Sequence, residues 1–252
     1  MNAAAVIDAL GLPSGARVDR RVPKTLLVEH GAPTAADKRR INEGIEEVQW
    51  VATLKPTTIG VPVLRDEVRE YLEIAVLSVS LRTEAKVERL VELIHRAVPY
   101  PVFLVAVQGT YITLSLAHKR WSQGAAGATV LDGEPVAATL TESEQGGMEA
   151  SFHEALSLAR QPQADLYRLY QGWIDTLLAL LAARVTGVFV AATTPVQAAT
   201  RREALRECAR LDAEIVRLRS AAAKEKQVSK QVALNVELKR AEAARAAALA
   251  RL

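Results

Sequence analysis

The sequence predicts an α+β fold: a helical N-terminal segment, a mixed β-α-β-β sheet core with an added hairpin, and a helical C-terminal part ending in a long coiled-coil-like helix. Three observations carry that prediction. Residues 71–82 alternate with a period of two and are apolar on both faces at their centre (Leu77, Val79 and Leu81 against Ile74 and Val76), the pattern of an interior strand. The segments on either side of this middle region repeat every three to four residues, as helices do. From Arg201 to Leu252 there is no Gly and no Pro, and Ala, Leu, Val, Lys, Arg, Glu and Gln dominate.

The elements follow in order. Residues 3–10 form a short helix stopped by Gly11 and Pro13. Pro23 opens a second over Lys24–His30, with Gly31 as its terminating residue. Thr34 caps a third, Ala35 to Leu54, in which Ile41, Ile45, Val48 and Ala52 share a face and Trp50 lies off it. The strand of residues 71–82 comes next, then a helix capped by Thr83 and running to about Ala97, where Pro99 and Pro101 end it. Val102–Val107 and Tyr111–Leu116 read as a hairpin around Gln108-Gly109-Thr110, and Ala128–Leu131 with Pro135–Leu140 as another around Asp132-Gly133. Residues 141–147 are a polar loop. Helices follow at 149–159 and 165–185, the second apolar along Leu166, Leu169, Tyr170, Trp173 and Leu177.

Thr194-Pro195 with Gln197 has the form of a capping box and starts the last helix, so the domains divide as 1–193 (body) and 194–252 (tail). Unbroken, that helix would be on the order of 85 Å long at about 1.5 Å per residue. Cys208, Leu211, Ile215, Leu218 and Ala222 form an apolar seam, with Leu211, Ile215 and Leu218 the candidate docking residues. The seam lapses at Lys224–Ser229. Val232 and Val236 return to its register while Leu234 and Leu238 fall off it, which reads either as a change of partner or as a helix reversal. The segment 201–252 holds 13 Lys and Arg against 7 Asp and Glu, a net of +6; the chain is +3, so residues 1–200 carry −3. A basic tail on a mildly acidic body points to docking or nucleic-acid contact.

The chemistry is defined largely by what is missing. No Gly-rich loop ending in Lys-Ser/Thr and no GxGxxG follows a strand; Gly124-Ala125-Ala126-Gly127 is only a short loop. No Asp/Asn-Pro-Pro-aromatic tetrapeptide is present. These absences argue against an ATPase and a methyltransferase, and no cofactor is expected. One cysteine, Cys208, excludes an internal disulfide framework. His30 reads as a helix-end cap, His95 as a surface or boundary residue, and His153 has no partner at metal-ligand spacing, so no metal site is expected. No signal peptide is visible and Ile174–Val190 is too polar to span a membrane, so the chain reads as cytoplasmic. A nuclease would need Glu73 to converge with Asp66 or Glu67 and an acid-x-Lys on the next strand, but Glu84-Ala85-Lys86 falls at a helix start. Glu73 is otherwise expected to pair with Arg65 or Arg69. His118, Lys119, Arg120 and Trp121 offer cations and a stacking ring at a strand end, suited to phosphate and base.

Several short stretches, Arg21–Lys24, Lys55–Gly60, Glu73-Ile74, Val98–Pro101, Lys224–Gln227 and Val232–Lys239, resemble the bacterial and archaeal family called domain of unknown function 4391, nearly end to end. Val228 stands where that family has an aromatic, and the last residues are Ala-rich where it is Leu-rich. The resemblance implies an accessory gene beside a superfamily 2 helicase and a DNA methyltransferase in defence or restriction-like loci. On this reading the chain is a non-catalytic accessory or adaptor subunit of a DNA-targeting complex. Its partners would be that helicase or methyltransferase, DNA, or a second copy through the tail. The alternatives are a nuclease around Glu73 and a stand-alone nucleic-acid-binding module.

Overall fold

The computed structural model describes residues 2–125, 127–140 and 147–252, which divide into two compact units, Met1–Leu177 and Leu178–Leu252. The α+β class holds. The first unit opens with α1 (Ala3–Ala9), β1 (Arg17–Arg21), α2 (Lys24–Gly31) and α3 (Ala35–Gly44). Then come β2 (Ile45–Leu54), α4 (Pro56–Ile59), β3 (Leu64–Arg65), β4 (Glu70–Tyr71), β5 (Ile74–Leu81) and α5 (Val87–Ala97). The rest is β6 (Val102–Gln108), β7 (Tyr111–Leu116), β8 (Lys119–Trp121), β9 (Thr129–Leu131), β10 (Val136–Leu140), α6 (Gly147–Leu156) and the start of α7 (Leu166–Thr186).

Among the described residues the main sheet has six strands in the order β1-β2-β5-β6-β7-β10. β5 and β6 run parallel, joined by α5, and the other neighbours are antiparallel. A parallel pair needs a crossover, and α5 supplies it. The central strands are covered on both faces. Leu104 and Ala106 join Leu77 and Val79 in a cluster with Leu27 of α2, Ile41 of α3, and Leu90 and Ile94 of α5. Phe103 points the other way and meets Trp173 of α7 edge-on at 5.2 Å between ring centres. The Trp173 indole N–H donates to the Leu156 carbonyl at 2.8 Å, so the ring is buried without an orphaned donor.

The expected helix over 35–54 is half helix and half strand. Gly44 ends α3, and a Cβ there would stand 2.8 Å from the Leu90 side chain. Beyond it Ile45, Val48, Trp50, Val51 and Thr53 are β-prone residues laid against β5, with Val48 opposite Val79 and Trp50 opposite Leu77. Register shifts between Ile45 and Glu47 and between Trp50 and Ala52 mark bulges. Buried positions therefore fall at 45, 48, 51, 52 and 54. Two bulges make a strand imitate a helical period.

Other elements also differ from expectation. β1 gives no signal in the sequence because Arg-Val-Asp-Arg-Arg has no apolar alternation, and a register shift between Arg17 and Arg20 accompanies Asp19 at φ +47°. The second hairpin is not one: β9 pairs with β8, while β10 returns to β7, with Val136 opposite Leu116 and Leu140 opposite Ile112. The helix expected from Thr83 starts at Val87, and the carbonyls of Arg82, Thr83 and Ala85 instead accept from the Gln108 side chain. Gly31 closes α2 as a packing residue: a Cβ would lie 2.6 Å from the Leu93 carbonyl oxygen, so α2 and α5 approach only because Gly is there. The predicted loop 141–147 lies outside the described residues, apart from Gly147 at the start of α6.

The second unit contains the end of α7, then α8 (Pro195–Lys224) and α9 (Val228–Leu249). The expected capping box forms only in half: the Thr194 hydroxyl caps the helix by accepting from Gln197 N–H at 3.2 Å, but the Gln197 side chain accepts from Thr193 N–H at 3.1 Å, one residue before the cap, instead of from Thr194. The tail is not one long helix. It reverses at Glu225–Gln227, whose extended backbone makes the turn without Gly. Leu211, Ile215 and Leu218 pack with Leu234, Leu238 and Ala241 of the returning helix. Ion pairs Arg219–Glu242 (2.7 Å) and Arg245–Asp212 cross the pair in antiparallel sense.

Candidate nucleotide cleft and the helical hairpin

The run His118–Trp121 is expected at an exposed strand end, and the structure distributes its members. Lys119 is 1% exposed. Its ammonium donates to the carbonyls of His95 and Val98, at the C-terminal end of α5. Those carbonyls lack helical partners and carry the negative end of the helix dipole, so a cation is well placed there. Burial pushes the Lys119 ammonium down to about 8. It is thus a structural cap on α5 and does not reach a phosphate.

His118 also turns inward. Its Nδ1 lies 2.5 Å from the Tyr71 hydroxyl and its Nε2 lies 2.8 Å from Gln171 Oε1. Gln171 donates its amide to Asp175 at 2.9 Å, which orients its oxygen toward the ring. Nε2 then carries the proton and Nδ1 accepts from Tyr71. Burial raises the Tyr71 phenol well above its ordinary range. Tyr167 and Tyr170 complete the aromatic group, and Arg69 sits 4.6 Å over the Tyr167 ring.

His95, expected near the surface, is fully buried. Its Nε2 is 3.0 Å from the Ser115 hydroxyl and its Nδ1 has no hydrogen-bond partner among the described residues. Burial, aided by the Lys119 charge, pushes its pKa down to about 3. The periodicity of α5 does not reveal this because the helix is buried on more than one side near its end: Leu93, Ile94, His95 and Ala97 are all interior.

Arg120 and Trp121 do face a cleft. Its floor and walls are the end of α2, the last turn of α5, the Pro99–Pro101 segment and the β8–β9 hairpin. One lobe, about 610 Å³, is lined by Glu29, Arg96, Lys119, Arg120, Ser122 and Gln123. The second, about 430 Å³, is lined by Leu72, Tyr100, Trp121, the two prolines and Glu70, whose carboxylate pairs with Arg65 at 2.9 Å. His30, Arg96 and Thr129 border both. Volumes of this size suit small-molecule or single-residue ligands. Glu92 holds Arg96 at 2.6 Å, and Asp132 stands 3.8 Å from Arg120.

The acids of the nuclease alternative have other occupations. Glu73 lies between β4 and β5, not on a strand, and pairs with Lys55 at 2.8 Å instead of Arg65 or Arg69. Arg65 pairs with Glu70 and Arg69 with Asp132. Asp66 accepts the N–H groups of Val68 and Arg69 at 2.8 and 2.7 Å, bonds that hold its carboxyl below the usual range. Glu67 is exposed. Among the described residues no three His, Cys, Asp or Glu side chains are grouped to hold a metal ion.

In the second unit the expected docking residues are committed to the hairpin itself. The face of α9 turned away from α8 carries Val228, Val232 and Val236, spaced by four and 71%, 56% and 46% exposed. Lys239 and Arg240 lie beside them, and Lys224, Lys226 and Lys230 surround the turn, all exposed.

A family model described as domain of unknown function (DUF4391) matches residues 10–244. The chain belongs to this family. The DUF4391 match spans both the sheet unit and most of the hairpin. No curated protein and no solved structure matches the chain. Among its described residues no helix is long and apolar enough to cross a membrane.

Proposed function

We propose that this DUF4391 protein is a non-catalytic accessory or adaptor subunit of a DNA-targeting complex of the defence or restriction type. Its α8–α9 hairpin docks onto a larger partner such as the helicase or the DNA methyltransferase of the same locus. The observation that carries the reading is the outer face of α9. A hairpin that has already buried its own seam has no internal use for three exposed valines in one row. Such a row, flanked by cations, fits an apolar and acidic surface on another chain. The basic balance of the hairpin adds attraction to a partner already lying on DNA.

The test is co-expression of the tagged full-length chain with the adjacent helicase and methyltransferase, followed by affinity purification. Wild type should bring a partner down in stoichiometric amount. Val232→Glu with Val236→Glu should lose it while far-UV circular dichroism keeps its helical signal. Failure of wild type to retain either product, or retention by the double variant, would sink the docking assignment.

A further inference from the structure

The cleft at the β8–β9 hairpin places a cationic lobe beside an aromatic one. Its polar lobe presents Arg96, 49% exposed in its side chain beside Glu92, and Arg120, 36% exposed, which stands near Asp132 and donates to the Trp121 carbonyl at 3.1 Å; with five N–H donors on each guanidinium, both have hydrogen-bonding capacity beyond those partners. Its apolar lobe presents the Trp121 and Tyr100 rings beside Leu72. Arg96 borders both lobes, so an anion held there lies next to the aromatic wall.

We propose that this cleft binds one nucleotide unit of a single-stranded nucleic acid, its phosphate on Arg96 and Arg120 and its unpaired base against Trp121 and Tyr100. Guanidinium groups match phosphate oxygens in a fork geometry, and any base presents a π-face to an aromatic ring. The apolar lobe, about 430 Å³, admits a single ring system and not a base pair still stacked within a duplex. Lys119 takes no part: its ammonium is turned to the α5 carbonyls. The assignment goes beyond the docking reading and is independent of it, because the cleft lies wholly in the first unit.

Fluorescence anisotropy of the full-length protein with labelled oligothymidylate, over a salt series, tests the proposal. A labelled duplex and unlabelled thymidine monophosphate as competitor are the comparison arms. Arg96→Gln removes one cation from a single-strand phosphate and should reduce the slope of log K against log salt by roughly 0.7. Trp121→Ala should weaken single-strand binding roughly 5- to 150-fold at every salt concentration, and Trp121→Phe should restore most of it. Any duplex binding should be unchanged in all three. Competition by the mononucleotide as effective as that of the strand would identify a free nucleotide as the source of the same unit. Absence of single-strand binding, an unchanged slope in Arg96→Gln, or equal losses on strand and duplex would overturn the cleft assignment and leave the docking reading standing.

Discussion

Lowering the pH from 7.5 to 5 should destabilise the sheet unit by about 2 kcal/mol through His95 alone. The imidazole is fully buried, and burial holds its pKa near 3 in the folded chain. In the unfolded chain it titrates near 6.5. Between those values the unfolded state binds a proton that the folded state refuses, so stability is present above pH 6.5 and is lost as pH falls toward 3. At pH 5 the unfolded imidazole is favoured by a factor of about 30, and RT times its logarithm is about 2 kcal/mol. Trp50, Trp121 and Trp173 all lie in the first unit, so tryptophan fluorescence during urea unfolding reports on that unit. His95→Gln keeps a hydrogen-bonding group for Ser115 and removes the titration. The wild type should lose about 2 kcal/mol more than this variant between the two pH values, or about 4–8 °C in midpoint temperature for a unit of this size. Lys119 titrates above the window, so it does not confuse the comparison. Parallel pH dependence in wild type and variant would show that His95 is solvated and that α5 packs otherwise than described.

Four further outcomes are expected. Lys119→Ala should cost roughly 2–4 kcal/mol in the same unfolding assay, because two carbonyls at the end of α5 lose their donor; a change within about 0.5 kcal/mol would mark it as an ordinary surface lysine. Gly31→Ala should cost about 1–3 kcal/mol by forcing α2 off α5, where the added carbon would meet the Leu93 oxygen at 2.6 Å. Leu218→Ala should destabilise the hairpin by about 2–5 kcal/mol, read by far-UV circular dichroism on heating. Asp37 is buried between Arg89, Arg40 and Thr34, with Arg89 the main reason its carboxyl is held well below the usual range. Its contribution is present above about pH 4 and lost as the carboxyl protonates, so an Asp37→Asn variant should show a flatter acid limb than wild type.

The class of fold is legible because the strongest patterns are undisturbed. β5 is buried on both sides and reads as such, and the β6–β7 hairpin announces itself through Gly109 at φ +59° between two β-prone runs. β2 misleads for a physical cause: its two bulges set buried residues three apart, which periodicity alone cannot separate from a helix. The pairing of β10 with β7 instead of β9 depends on neighbours distant in sequence. The candidate cleft is half legible. Arg120 and Trp121 stand in the basic run, but Lys119 beside them sends its ammonium to the carbonyls at the end of α5, a contact between residues more than twenty positions apart that no local pattern announces. Arg96 and Tyr100 give no signal of their own, since a helix-end arginine and a Pro-Tyr-Pro turn are common. Only the fold brings them beside the β8–β9 hairpin.

The tail shows how one periodicity can serve two ends. Leu211, Ile215 and Leu218 repeat at coiled-coil spacing, and from the sequence that seam suits a foreign helix as well as a returning one. The break at Glu225–Gln227 decides the matter, because once the chain reverses, Leu234 and Leu238 become the near face of α9. They are the residues that fall off the extrapolated register. Val232 and Val236, which match it, are turned outward. The apolar residues that say most about partners are thus not the strongest seam, which the chain satisfies by itself. They are the ones left over when that seam closes. Leu211→Ala should therefore loosen the hairpin, whereas Val232→Glu should leave its helices intact and act only on what binds them. A variant pair behaving the other way round, with Val232→Glu melting the hairpin, would place the valines inside and the docking face elsewhere.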